Sequence, residues 1–253
     1  MLSGSVANVI YLVITSLAFA CLLRVGNFIR ILDIVISMWE FIDKIIYINL
    51  DHREDRRKIM STFFEEGKIP IEKVVRFPAI KRSYGPLGCL ESHTEVLRIA
   101  KRNGWENVLV LEDDLKWSNF EEGYAKLEEL SKLPKWDVIM LAGWYAKYDL
   151  PRVFDAYNAG AYLVNGHYID RLLTNRAYSV GKLANGIGFD CRNPKYFADA
   201  YWNNLIAVDT WYCIYPCLCY QVDGFSDNGR RVIESSKIIG IYDSKVRKDV
   251  YKH

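Results

Sequence analysis

The chain has 253 residues, 51% of them hydrophobic and 25% charged, with a formal net charge of +2. That balance excludes a disordered polyelectrolyte and gives no overall electrostatic reason to expect a nucleic-acid partner. The length allows one domain or two, each with a substantial core.

Met1 to Leu23 carry no charged side chain, and Val6 to Leu23 is apolar enough to span a bilayer, near the short end of the roughly 17 to 25 residues required. Arg24 and Arg30 follow and no Lys or Arg precedes, so the positive-inside tendency leaves the rest of the chain cytoplasmic. The absence of a basic n-region argues against a cleaved signal peptide. Met38 stands just ahead of the first strand pattern. Residues 1–37 therefore read in two ways: a hydrophobic helix that associates with a membrane through residues 6–23, or a non-native extension ahead of a domain that needs nothing before Met38.

"KIIYINL" (Lys44 to Leu50) is a short, nearly continuous apolar run, as a strand covered on both faces requires. "DHREDRRKIMSTFFEEG" follows as a helix, with Ile59, Phe63 and Phe64 on one stripe and Gly67 as its stop. "KVVRF" predicts a second strand, and "ESHTEVLRIAKRNG" a helix packed through Leu90, Thr94 and Leu97 and ended by Gly104. "NVLVL" is a third strand, "FEEGYAKLEELSKL" a helix, "WDVIML" a fourth strand, and "AGAYLVN" with "IDRLLTN" a later strand–helix pair. Strands alternating with helices predict an α/β domain with a largely parallel sheet. No linker composition divides Met38 from Gly229, so residues 38–229 read as a single domain, and residues 230–253, with seven Lys/Arg against Glu234, Asp243 and Asp249, as a basic tail.

The third strand ends on three consecutive acids, Glu112, Asp113 and Asp114, in "VLVLEDDL". Ligands of open α/β sheets bind beyond the carboxyl ends of the strands, and alternation places Glu112 and Asp114 on one side and Asp113 on the other. A carboxylate pair so spaced holds a hard divalent ion, Mn²⁺ or Mg²⁺, with phosphate oxygens completing its shell. Neither a Walker loop nor a G-x-G-x-x-G occurs, which argues against P-loop enzymes and dinucleotide oxidoreductases. The six cysteines complete no zinc pattern, although Cys213, Cys217 and Cys219 cluster; buried thiols in a reducing compartment are expected. No Asn-x-Ser/Thr sequon occurs.

"IYINLDHREDRR", "GPLGCLESHTEVLRIAK", "VLVLEDDL", "AGAYLVNGHYIDRLL", "AVDTWY" and "YPCLCYQVDGFSDN" form an ordered set over most of Lys44 to Asn228. Together they resemble glycosyltransferase family 25, the lipopolysaccharide-type β-galactosyltransferases and collagen hydroxylysine galactosyltransferases. The resemblance implies a GT-A-type, Rossmann-like nucleotide-binding fold, a UDP-sugar donor, a divalent ion and inverting transfer of a hexose, galactose first, to a hydroxyl of a glycan or protein acceptor. It places Asn49, Arg53 and Arg56 at the nucleotide, with Asp113, and brings Gln221, Ser226 and Asp227 to donor or acceptor. His52 departs from the family, which often has Arg there, and Glu112 stands where a strict Asp-x-Asp would have its first Asp.

Asp209, an isolated carboxylate among apolar and aromatic residues, is the expected general base for the acceptor hydroxyl, ahead of Asp190 and Asp227; a structural cap at a helix start is the competing account. His93 falls on the apolar stripe of its helix and reads as a packed, hydrogen-bonded histidine. Trp144 and Tyr145 are candidates for an acceptor-sugar platform, with core packing as the alternative. Two rival functions fit the same acids: a non-catalytic adhesion or scaffold relative, and a metal-dependent nucleotidyltransferase or phosphohydrolase.

Overall fold

In the computed structural model the described residues are 39–185, 193–227, 231–233 and 240–241. The chain divides into the units Met1–Glu40 and Phe41–His253, and every element below belongs to the second. The apolar stretch 6–23 and Asp190 lie outside the described residues, as does most of the C-terminal stretch. Among the described residues no helix is long and apolar enough to cross a membrane.

Strand β1 (Lys44–Asn49) forms where the continuous apolar run predicts it, with Ile45, Ile46 and Ile48 buried. It pairs in parallel with β2 (Val74–Pro78) on one side and β3 (Asn107–Glu112) on the other. Helix α1 (Glu54–Glu66) makes the first crossover and buries Met60, Phe63 and Phe64. Helix α2 (Gly85–Asn103) makes the second and starts six residues before Glu91, because Pro86 suits the first helical turn, where no N–H partner is required. Gly104, at φ 66°, closes it in the left-handed region that glycine adopts without strain.

After β4 (Leu115–Trp117) and helix α3 (Phe120–Ser131), the chain enters a hairpin longer than its apolar core announces: β5 (Val138–Asp149) and β6 (Arg152–Asn165). The extra length lies in the half-exposed outer ends, which have no apolar run but are held by cross-strand pairing from Lys147↔Asp155 to Asp149↔Arg152. Helices α4 (Ile169–Asn185) and α5 (Asn203–Ile206) lead to β7 (Trp211–Cys213) and β8 (Cys219–Gln221).

The main sheet has the order β11 (Gly240–Ile241), β5, β7, β6, β3, β1, β2, with β5 also paired to β6. β6 alone runs against the other strands. The fold is mixed α/β around a mostly parallel sheet, as expected. Its main core gathers Ile46, Val110, Val138, Tyr162, Trp202 and Trp211 with the inner face of α2.

Residues beyond Gly229 are more than a basic tail: β10 (Arg231–Ile233) pairs with β9 (Gly224–Ser226), and β11 (Gly240–Ile241) extends the main sheet alongside Trp144 and Tyr145. Cys213, Cys217 and Cys219 are buried and outside any disulfide.

Candidate active site

The parallel strands β1 and β3 end side by side, Ile48 opposite Glu112, so everything that follows them gathers at one edge of the sheet. A cavity of about 650 Å³ opens there. Arg56, Glu112, Asp113, Asp114, Asn158, Asp199, Gln221 and Asp227 all line it.

The alternation read from "LEDDL" is present. Gln221 Nε2 donates to Glu112 Oε2 at 2.5 Å and to Asp114 Oδ1 at 3.1 Å, so these two acids share a side. Asp113 turns to β1 and α1: Asn49 Nδ2 donates to its Oδ2 at 2.7 Å and Arg56 Nη1 to its Oδ1 at 2.7 Å. Arg56 also reaches Asp114 Oδ2 at 3.0 Å and the Phe225 carbonyl at 2.9 Å. A fully buried Asn49 thereby ties the end of β1 to the acids, its Oδ1 accepting from Arg57 and Arg76.

Three carboxylates here meet one directly paired guanidinium. The side chains of Asp113 and Asp114 are only 8% and 9% accessible. Glu112, which lines the cavity, is half-buried, with its side chain 23% accessible. Burial, reinforced by the neighbouring carboxylates and only partly offset by Arg56, raises the pKa of both Glu112 and Asp114 well above the ordinary carboxylate range. A buried pair of like charges with hard oxygen donors fits a divalent cation. The Gln221 amide nitrogen bridges one oxygen of each acid.

Asp227 lies at the mouth, bound by Arg53 Nη1 at 2.5 Å with His52 Nε2 3.6 Å away, while Arg53 also grips Asp55 through two nitrogens. The arginine turn, the acid triplet and the Gln221–Asp227 segment, 174 positions apart at the Arg53–Asp227 bond, thus meet in one place. His52 stands beside Asp227.

Asp209 does not line this cavity. It precedes β7, whose Trp211 pairs with Val138 at the start of β5; Val138 and Val108 both pair with Val164 of β6. Asp209 is thus level with the beginning of β3, separated from Glu112 by the strand's six residues, or about 17–20 Å. Its carboxylate accepts from Tyr168 Oη at 2.7 Å and Arg171 Nε at 2.6 Å. Partial burial works against its charge, but those two bonds outweigh it and hold the carboxyl below the ordinary range.

Tyr145 is also core: it is fully buried, its hydroxyl directed at the Met140 and Ile214 carbonyls. Trp144 does line the cavity, tilted against Tyr157 with ring centroids 5.4 Å apart. His93 is buried as expected, Nδ1 2.9 Å from the Tyr162 hydroxyl and Nε2 3.4 Å from Glu112 Oε1. Desolvation lowers its pKa to about 3, which keeps the ring neutral.

Two residues of the site carried no sequence signal. Asn158, at φ 78°, donates to Gln221 Oε1 at 2.8 Å and fixes that amide's orientation. Asp199 accepts from the Asn158 backbone N–H at 3.1 Å. The only available hint for Asn158 was the residue type, since asparagine is favoured over other side chains at positive φ.

No family model and no curated protein matches the chain. Solved structures with some likeness include A197 from STIV, at TM-score 0.43 and 12% identity over 76% of this chain and 93% of that one. A glycosyltransferase involved in glycosylating the major capsid of PBCV-1 scores 0.43 at 9% identity, over 67% of this chain and 80% of that one. A provisionally assigned glucose-1-phosphate thymidylyltransferase of Bacillus anthracis, in complex with a sucrose, scores 0.40 at 12% identity, over 71% and 70% of the respective chains. Likeness this slight carries no argument, and none of it points to family 25.

Proposed function

We propose that the protein is a metal-dependent inverting glycosyltransferase that moves a hexose, galactose first, from a UDP-sugar to a hydroxyl of a glycan or protein acceptor. One observation carries the reading: a buried carboxylate pair, Glu112 and Asp114, lines a donor-sized cavity at the carboxyl edge of the sheet with too little positive charge beside it. The family 25 resemblance supplies the donor class and stereochemistry. Held by Glu112 and Asp114, a Mn²⁺ or Mg²⁺ ion would offset the charge that develops on a diphosphate leaving group.

The chain's own residues do the rest. Arg56 neutralises part of the acid cluster and holds Asp113 against Asn49, so the two metal-side carboxylates stay aimed at the cavity. Arg53 places a cationic donor at the mouth, where a nucleotide's phosphates would enter. Trp144 and Tyr157 offer ring faces to an acceptor sugar. Asp227 is held by Arg53, and Asp209 lies at the other end of the sheet. Asp199 is therefore assigned as the base: it lines the cavity and accepts from the Asn158 backbone N–H. A carboxylate held by a backbone N–H is positioned to accept the proton of the attacking hydroxyl.

The test is a donor screen in Mn²⁺ with product analysis. UDP release from UDP-galactose, lost in Asp114→Asn, supports transfer chemistry. Cleavage inside the diphosphate, releasing UMP and a sugar phosphate, would assign a phosphohydrolase or nucleotidyltransferase instead.

A further inference from the structure

Glu112 has a second face. Its Oε2 belongs to the Gln221–Asp114 side, while its Oε1 is turned to α2, 3.4 Å from His93 Nε2 and 3.9 Å from Cys89 Sγ. Cys89 and His93 are one helical turn apart on α2 and so project from the same face. The three donor atoms, a thiol, an imidazole nitrogen and a carboxylate oxygen, all lie within 4.8 Å of one another. Cys89, His93 and Glu112 all line the cavity, so an ion has a way in.

The three donors lie close enough together to be drawn onto one ion. An N–H···O bond spans roughly 2.7–3.2 Å, shorter than the 3.4 Å between His93 and Glu112. Tetrahedral coordination with bonds of about 2.0–2.3 Å puts neighbouring ligand atoms about 3.3–3.6 Å apart, close to what the nitrogen and oxygen show. The other ring nitrogen of His93 is 2.9 Å from the Tyr162 hydroxyl, the outer hydrogen bond that orients a metal-binding histidine. A thiolate and an imidazole are poor partners for Mn²⁺ or Mg²⁺ and good ones for zinc-class ions.

We propose that Cys89, His93 and Glu112 form a second metal site, distinct from the Glu112/Asp114 pair, that binds a zinc-class divalent ion with a fourth position open to the cavity. Glu112 is common to both, one oxygen to each, so the two ions sit as neighbours. The proposal is independent of the transfer reaction, because its readout is metal binding.

Cobalt serves as the probe, since a cobalt–thiolate bond gives a near-ultraviolet charge-transfer absorption. Titrating the full chain with Co²⁺ should produce that band at one equivalent, and Zn²⁺ should displace it. Cys89→Ser, checked for an unchanged circular dichroism spectrum, should lose the band, whereas Asp114→Asn should keep it. No band in the parent chain, or a band that persists in Cys89→Ser, overturns the site. A band lost in Asp114→Asn as well overturns its separateness from the carboxylate pair. Since none of these readings involves a sugar nucleotide, failure here leaves the transferase reading standing, and failure of the donor screen leaves this one.

Discussion

Asp114 and Asp209 are both aspartates with hydrogen-bond partners, yet they call for opposite expectations. At Asp114 the surroundings resist the charge; at Asp209 they stabilise it. Asp114→Asn should abolish Mn²⁺-dependent UDP release, a loss on the order of 10²–10³-fold or more if the ion supplies several kcal/mol to the leaving group. The same change should raise the thermal midpoint of the metal-free protein, because it relieves repulsion within a buried acidic cluster. Asp209→Asn should leave UDP release unchanged and lower stability by about 1–2 kcal/mol, through weakened bonds to Tyr168 and Arg171. Because the folded Asp209 carboxyl sits below its unfolded value, its contribution is fully present above roughly pH 4. It disappears as the pH falls through the lower, folded value. Denaturation curves of parent and Asp209→Asn should therefore converge in acid and separate toward neutrality. Asp199→Asn should reduce kcat by about 10²–10⁴-fold, the usual range for a lost base, with UDP affinity retained; unchanged kcat would remove Asp199 from the chemistry.

At the scale of elements, the helix that carries Cys89 and His93 is seated by a glycine. A Cβ on Gly88 would come within 2.4 Å of the Ile80 carbonyl oxygen, a backbone atom that cannot swing aside. Ser92 fastens the same junction, accepting from the Ile80 N–H at 2.8 Å and donating to the Gly88 carbonyl at 2.7 Å. Gly88→Ala should therefore lower stability by about 1–3 kcal/mol, as overpacking does, seen as a reduced denaturation midpoint. Residues Ile80 to Arg82 line the cavity, so donor affinity should fall with it. An unchanged midpoint would mean the helix and loop separate freely. What could be read here without coordinates was what local periodicity controls. The run Ile45–Ile48 and the acids after Leu111 were legible because burial on both faces and a charge cluster each leave a pattern within a few residues. The outer hairpin, Lys147 to Asp155, was not, since its pairing is made by backbone groups whose partners lie across the strand. The place of Asp209 was not legible, because an apolar neighbourhood in sequence does not say at which end of a sheet a residue stands. Only the pairing of Trp211 with Val138 decides that.

Across the whole molecule, one edge of a mostly parallel sheet collects segments from very distant parts of the chain: α1, the β3 end, the β6 hairpin, and β8 to β10. The last strands belong to this assembly, since β11 runs beside Trp144 and Tyr145 of β5, the former lining the cavity. Truncation after Gly229 should accordingly lower the denaturation midpoint by several degrees, whereas a detached tail would leave it in place. Calorimetric titration of the full chain with UDP, with and without Mn²⁺, puts the central claim to its most direct test. UDP should bind in the presence of Mn²⁺, bind far more weakly in chelator, and lose that difference in Asp114→Asn; equal binding with and without the ion, or no binding in either, would contradict the account.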